Sequence, residues 1–463
     1  MSSPLPHAAA TPPADNKLRP DFIPSAITGW VGVFGFVLGV VWLNKFGPVY
    51  QPPRYWEGLI LMAFTALPMI VCDALLIRFR SPTPVIDGMT RQHAYSIERT
   101  LVKLAGLLVT VVLLALLYWI FPEYNPSFQP DAGFYSNFFL LCRNAGPFAV
   151  VFCVLYFFWV DARMTDPRDG YWYFGRVVML DFENIDWSKV GNHLRTWAVK
   201  GFFMPLMFTF LCNNLPGLHW RAEHTNAFHQ FWGGSGMPAA QGFITLSHYF
   251  HNFLFSIDLA FVSCGYLLTL RWIQSHVRSA EPTALGWTAA LVCYQPFWTM
   301  IGNLYLGYWS DSDWIGKLPN YNLTLFYACG FGITFFETMF VWATIAFGLR
   351  FSNLTHRGIV TSGPYYFTKH PAYITKICAF FLTSLPFVDG RGAVMFSFAG
   401  ITITSYGIRN MFMLAGLAFV YWVRAKTEER NLSSLDPAYA MYSAQIRERH
   451  RRWLRFQFRA PRT

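Results

Sequence analysis

Long apolar runs recur along the chain, at 27–44, 57–77, 101–121, 136–160, 196–214, 243–270, 285–307, 322–349, 373–389 and 396–424. An α-helix rises about 1.5 Å per residue, so about 20 apolar residues cross a hydrocarbon layer of roughly 30 Å. In lipid every backbone polar group must be paired within the segment, and the runs lack the alternation of a membrane barrel. The pattern therefore predicts an all-α fold, a polytopic membrane bundle of about ten transmembrane helices. The last run is long for one span and carries Arg409 near its middle, where a charge is costly. A second reading of it is a helix from about Arg409 to Lys426, with 390–407 as a re-entrant or interfacial insertion. No internal repeat is detectable.

Polar stretches supply orientation. The loop 78–100 holds Arg78, Arg80, Arg91 and Arg99, and 161–195 holds Arg163, Arg168, Arg176, Lys189 and Arg195. Arg271, Arg278, Arg350, Arg357 and Lys369 follow, ahead of an Arg-rich tail, whereas 122–135 has no Lys or Arg. Such alternation is what positive-inside topology requires, and it predicts both termini in the cytosol. The localisation expected is a multi-pass integral protein of a bacterial inner membrane or an equivalent cytosol-facing membrane. Residues 1–26 are Pro/Ala-rich and polar, without a signal-peptide pattern, and read as a mobile cytosolic tail. The remainder divides into an N-terminal membrane region (27–240, about five spans), a C-terminal membrane domain (241–450) and a basic tail (451–463). The loop 161–195, rich in Asp, Arg, Tyr and Trp, reads as a small cytosolic subdomain or a helix lying on the membrane.

Composition fits this reading. The chain is 54% hydrophobic and 13% charged, about half the charged share of an average soluble domain. Its net charge of +11 resides in short loops and the tail, where membrane lipids with anionic headgroups account for it. No basic-aromatic module points to nucleic acid. The eight cysteines lie in apolar stretches without C-x-x-C spacing, so they read as packing residues.

Candidate chemistry concentrates near the end of the chain. In Ser362-Gly363-Pro364-Tyr365-Tyr366-Phe367-Thr368-Lys369-His370-Pro371-Ala372-Tyr373, Ser-Gly-Pro forces a turn, and Pro371 biases His370 out of the helical region. That presents a histidine, tyrosines and a lysine at the cytosolic mouth of the bundle, a polar pocket able to cradle a flat cation by stacking and hydrogen bonding. Downstream, Arg424 and Glu428 stand one helical turn apart on one face, with Glu429 about 100° around. Tyr439 and Tyr442 suit an interfacial helix closing over the pocket.

Together these stretches resemble the isoprenylcysteine carboxyl methyltransferases and the related membrane phospholipid methyltransferases. The resemblance covers roughly residues 322–450: the Ile359-Val360-Thr361-Ser362-Gly363 turn with Tyr365, then Lys369-His370-Pro371-Ala372-Tyr373, a hydrophobic hairpin, Arg424 with Glu428-Glu429, and a Tyr-x-x-Tyr tail. It implies S-adenosylmethionine bound at the cytosolic face along Arg357, Ile359 and Val360, with Tyr365, His370, Pro371 and Tyr373 around it. Glu428 would meet the cofactor's amino acid moiety, and Arg424, the catalytic candidate, would hold an anionic group of a lipidic or lipid-linked acceptor. Three departures stand out: Lys369 replaces the family's arginine, Arg357 its histidine with His356 one place earlier, and the interval from His370 to Arg424 is longer than the family's hairpin.

Other clusters have competing readings. His248 and His251 with Asp258 are conceivable metal ligands, but no third ligand stands at convincing spacing; His219, Glu223, His224 and His229 read as a solvated loop. Glu337, deep in an apolar run, is either functional or a structural group paired with Arg409. Alternative functions are an NADPH-dependent membrane reductase of the sterol-reductase type and a transport or non-catalytic partner protein. Against the latter, the chain lacks repeats and paired broken helices.

Overall fold

The computed structural model describes residues 26–47, 54–80, 88–89, 95–121, 133–299, 314–385, 390–398 and 401–457. Its helices are α1 (Ala26–Phe46), α2 (Tyr55–Arg80), α3 (Ile97–Ile120), α4 (Ser136–Asp161), α5 (Gly170–Val178), α6 (Trp187–Asn214) and α7 (Ala222–Gly233). They continue with α8 (Gly236–Leu267), α9 (Ala284–Leu291), α10 (Trp314–Tyr321), α11 (Leu323–Phe347), α12 (Pro371–Ser384), α13 (Ser405–Leu435) and α14 (Pro437–Gln457). Two short antiparallel ribbons interrupt the helices: β1 (Ser279–Ala280) pairs with β2 (Thr355–His356), and β3 (Val394–Phe398) with β4 (Ile401–Thr404). Polar caps start many of the helices. Ser96, Asp169, Asp186, Thr283 and Thr404 each accept a hydrogen bond from a free backbone N–H of the following turn.

The fold is all-α, but the expectation of about ten transmembrane helices is overturned. Among the described residues six helices are long and apolar enough to cross a membrane: Ala26–Phe46, Tyr55–Ile77, Ile97–Ile120, Ser136–Asp161, Gly236–Leu267 and Leu323–Arg350. The other four apolar runs fail for separate reasons. Run 196–214 is the end of α6, a helix that also carries Lys189, Arg195 and Lys200. Run 285–307 contributes the 8-residue α9, and its end lies outside the described residues. Run 373–389 gives α12, whose 14 residues span only about 21 Å. Run 396–424 splits into the β3–β4 ribbon and the first part of α13. Both strands of the ribbon lie within 390–407, where a re-entrant or interfacial insertion was one reading, and 405–407 already belong to α13.

The main core joins α1, α2, α4, α6, α8 and α11 around Phe36, Met69, Phe203, Phe261 and Tyr266, all nearly or wholly inaccessible. The Phe203 and Tyr266 rings stack at 5.6 Å and 4°. Buried charge holds the core's polar end. The Asp161 side chain is fully buried and receives Arg99 at 2.7 Å and Lys103 at 2.8 Å. Asp73 meets Arg350 at 3.3 Å and accepts from Thr28 at 2.8 Å. The loop after α4 folds as α5, which lies on α3 so closely that a side chain on Gly175 would strike the Val102 carbonyl at 2.0 Å. Outward faces of α3 and α4 are apolar and exposed, including Leu108, Leu116, Phe148, Val151 and Leu155. Several long apolar helices with such faces suit contact with a membrane.

Residues 451–457, the start of the expected basic tail, continue α14. The tail 1–26 lies outside the described residues up to Pro24 and Ser25, and α1 begins at Ala26.

Candidate functional site

The site is assembled where α11 ends. Gly348 caps that helix with φ +53, and the chain then runs through 351–362, where Asn353 accepts from Arg424 of α13. Two buried arginines pin this segment. Arg350 donates to the carbonyls of Ile273 and Gln274, and Arg357 to those of Gly265, Ser275 and Phe351. The guanidinium of Arg357 is thus engaged with backbone carbonyls, so its part in the site is to hold the floor in place. The β1–β2 pairing adds Arg278 N–H to His356 O and Glu281 N–H to Leu354 O. Gly358, at φ +108 with open space where a side chain would sit, turns the chain along the site in a conformation other residues rarely adopt.

Next, Gly363–Tyr366 forms a short 3-10 turn, and His370 caps α12 with Pro371 at the first helical position. Proline suits that position because its missing N–H would have no helical partner. The His370 ring stacks on Tyr373 at 5.4 Å and 5°. Its Nε2 meets Glu429 Oε1 at 3.0 Å, and Lys369 and Lys426 reach the same carboxylate at 2.6 and 3.2 Å. These partners, His370 first, hold the Glu429 carboxyl well below the usual carboxylate range. Glu428 accepts from Tyr373 OH at 2.9 Å and keeps a side chain 46% exposed.

Arg424 is buried, which sets aside an ordinary surface ion pair with Glu428. Its guanidinium donates to Asn353 Oδ1 and lies over Tyr373 and Tyr294 at 5.0 and 5.7 Å. Asn353 is itself fixed, its side-chain amide donating to Tyr294 OH at 3.0 Å and its backbone N–H to Tyr266 OH at 2.8 Å. Tyr442 of α14 closes the far side, donating to the Tyr365 carbonyl at 2.7 Å. Arg449 and His450 donate to the carbonyls of Tyr366 and Phe367.

These groups surround a cavity of about 280 Å³. Of the residues singled out from sequence, Arg357, Ile359, Val360, Tyr365, His370, Tyr373, Arg424 and Glu428 line it, and so do Tyr439 and Tyr442. Pro371 does not line it and is buried at the start of α12. Burial, then Glu428, Tyr442 and Asp258, keep the Tyr365 phenol well above its ordinary value, so it remains a hydrogen-bond donor. His356 also lines the cavity. Burial and Arg278 push it below the ordinary histidine value, and its Nδ1 has no partner among the described residues.

Sequence reasoning gave no part in the site to many of the lining residues, among them Tyr294, Asn353, Lys376 and Asp258. Tyr294 and Asn353 belong to segments that carry no motif, and Lys376 sits one turn beyond Tyr373 on α12. Asp258 drew notice only as a metal ligand. Among the described residues no group of three or more His, Cys, Asp or Glu could hold a metal ion. His251 instead pairs with Glu337 at 2.7 Å, so Glu337 is a paired group whose partner is not Arg409. Arg409 lies over Tyr406 at 4.8 Å and donates to Asn410. Compared with known proteins, the chain matches no family profile, no curated protein and no solved structure.

Proposed function

We propose that this chain is an S-adenosylmethionine-dependent methyltransferase of the isoprenylcysteine carboxyl methyltransferase type, acting on a lipidic or lipid-linked acceptor. The proposed setting is the cytosolic face of a bacterial inner membrane or an equivalent membrane. The observation that carries the reading is the cavity itself. Residues from 353–376 and from 421–442 enclose one space, with a cation over aromatic faces on one side and a half-open carboxylate on the other.

The donors present fit the cofactor. The unpartnered Nδ1 of buried His356 and the half-exposed carboxylate of Glu428 suit a purine and an ammonium respectively. When bound, S-adenosylmethionine supplies an activated methyl group. The chain's task is then alignment and exclusion of water, which needs no acid-base dyad when the acceptor is already nucleophilic. Tyr373 orients Glu428, the His370–Glu429–Lys369 network fixes the entrance of α12, and α14 covers the turn at Tyr365. Arg424, buried and rigidly stacked, is placed to attract an anionic group of the acceptor.

The test is equilibrium binding of S-adenosylmethionine and, separately, NADPH to the purified chain, repeated with Glu428→Ala and His370→Ala. S-adenosylmethionine should bind, and each substitution should weaken it by about 10- to 100-fold. Binding of NADPH with none of S-adenosylmethionine would replace this reading by the reductase one. Undiminished binding in both variants would show that the cofactor sits elsewhere.

A further inference from the structure

The loop between α8 and β1 collects positive charge behind the cavity. Arg350 donates to the carbonyls of Ile273 and Gln274 and Arg357 to that of Ser275, so two buried guanidinium groups grip three consecutive peptides. Arg271 and Arg278 stand on either side of those peptides in the chain. Asn192 of α6 clips the loop by accepting from Ala280 N–H at 2.8 Å, and the same helix brings Lys200, which donates to the Thr269 hydroxyl. Asp73 offsets Arg350 at 3.3 Å, and Asp436 lies 3.4 Å from His356, which leaves cations in excess among these groups. The excess is felt locally. Burial, then Arg271, Arg278, Arg357 and Arg350, push His276 down to about 3, and burial with Arg357 pushes Lys200 down to about 7.

Buried polar atoms of the loop also lack partners. Gln274 is only 4% exposed and sits at φ +54, yet neither polar atom of its side chain is paired among the described residues. His276 Nδ1 and Ser279 Oγ are buried and unpaired as well. A buried polar group without a partner is destabilising, and a left-handed glutamine persists only where its surroundings impose it. An oxyanion would satisfy these groups and offset the charge together.

We propose that the loop 271–279 binds a phosphate-type oxyanion, with Arg271, Gln274, His276 and Ser279 as its donors in the field of Arg278, Arg350 and Arg357. None of the four donors lines the cavity, so this is a second site. It bears on the cavity through the Ser275 carbonyl, because the loop that the anion orders also anchors Arg357 in the floor. The site does not rest on the methyltransferase reading.

The experiment titrates the full chain in detergent with inorganic phosphate, chloride holding the ionic strength constant, and follows heat of binding and the thermal midpoint. Phosphate should bind saturably and raise the midpoint, and added chloride should do neither. Arg271→Met and His276→Leu should each weaken phosphate binding by about 10-fold. Without phosphate, His276→Leu should melt no lower than the native chain, since it removes an unpaired buried group, whereas a merely structural histidine would lower the midpoint. Arg452→Met, at an exposed position on α14, should bind phosphate as the native chain does. Undiminished binding in both Arg271→Met and His276→Leu overturns the proposal. So does an equal loss in Arg452→Met, or a chloride response matching that of phosphate, either of which marks bulk charge alone. Dihexanoyl phosphatidic acid and adenosine monophosphate separate the sources: the one that binds more tightly than phosphate, with the same dependence on Arg271, identifies a lipid or a soluble ester. Amide exchange at 356–360 should slow when phosphate binds. Unchanged exchange there overturns the link to the floor.

Discussion

At the residue scale, Glu429 carries the most electrostatic weight in the entrance to the cavity. His370, Lys369 and Lys426 all converge on it, and its side chain is only 19% exposed. Its folded value is depressed below the ordinary 4.5. The stabilisation is therefore fully present above that value and is lost as pH falls toward the depressed one. Glu429→Gln should lower stability by about 1–3 kcal/mol near neutral pH. The gap from the native chain should persist down to about pH 5 and narrow below it, read from thermal midpoints in detergent across the range. A gap that stays constant down to pH 3 would show that the charge of Glu429 is not what the network uses. Sequence spacing could place Arg424 and Glu428 on one face, since one helical turn fixes that. It could not show that the partner of Arg424 is Asn353, because no local period links positions that far apart. For the same reason Glu429 read as belonging to another face, although His370 at the start of α12 reaches both neighbouring carboxylates.

At the scale of elements, α14 acts as a strap over the turn at 363–368. Tyr442, Arg449 and His450 each donate to a backbone carbonyl of that turn, and the Arg449 guanidinium lies 3.8 Å from the Tyr366 ring centre. Tyr442→Phe removes one of these bonds and should lower stability by about 1 kcal/mol. Its clearer signature is local: amide hydrogen exchange at 363–368 should accelerate while exchange in α11 stays unchanged. Unaltered protection of the turn would mean that α14 merely rests there. The two tyrosines announced this helix in the sequence, and it continues past residue 451, where a basic tail was expected. The membrane helices were less legible. A hydropathy run reports apolar content, and both a span and a half-buried helix of a packed bundle have it. Runs 373–389 and 396–424 look alike in composition to 27–44. What separates them is length after the breaks at Leu385, the left-handed cap that ends α12, and at the β3–β4 ribbon, and the charges on α13 from Arg409 onward. Six of the ten segments keep their length through such breaks, and those are the ones able to span.

At the scale of the whole molecule, the N-terminal helices and the candidate site are mechanically one object. Asp73 near the end of α2 receives Arg350 and Thr28, and Arg350 also donates to Ile273 and Gln274. The adjoining Ser275 carbonyl is one of the anchors of Arg357, the residue that holds the floor of the cavity. A single chain of buried polar contacts therefore runs from α1 and α2 to the floor, through elements with no motif of their own. Removing one charge of a buried pair strands the other, so Asp73→Leu should destabilise the chain by about 3–5 kcal/mol. Arg350→Met should do likewise, and the Asp73→Leu/Arg350→Met double variant should recover much of the loss because neither charge is then stranded. Thermal midpoints of the four chains close the cycle. If the two losses simply add, the pair is not coupled and the N-terminal helices stabilise the fold independently of it. Because the stranded arginine would pull on the same loop that anchors Arg357, Asp73→Leu, at a position outside the cavity lining, should also weaken binding of the proposed cofactor. The double variant should restore part of that binding, a recovery that general loss of folded protein cannot produce.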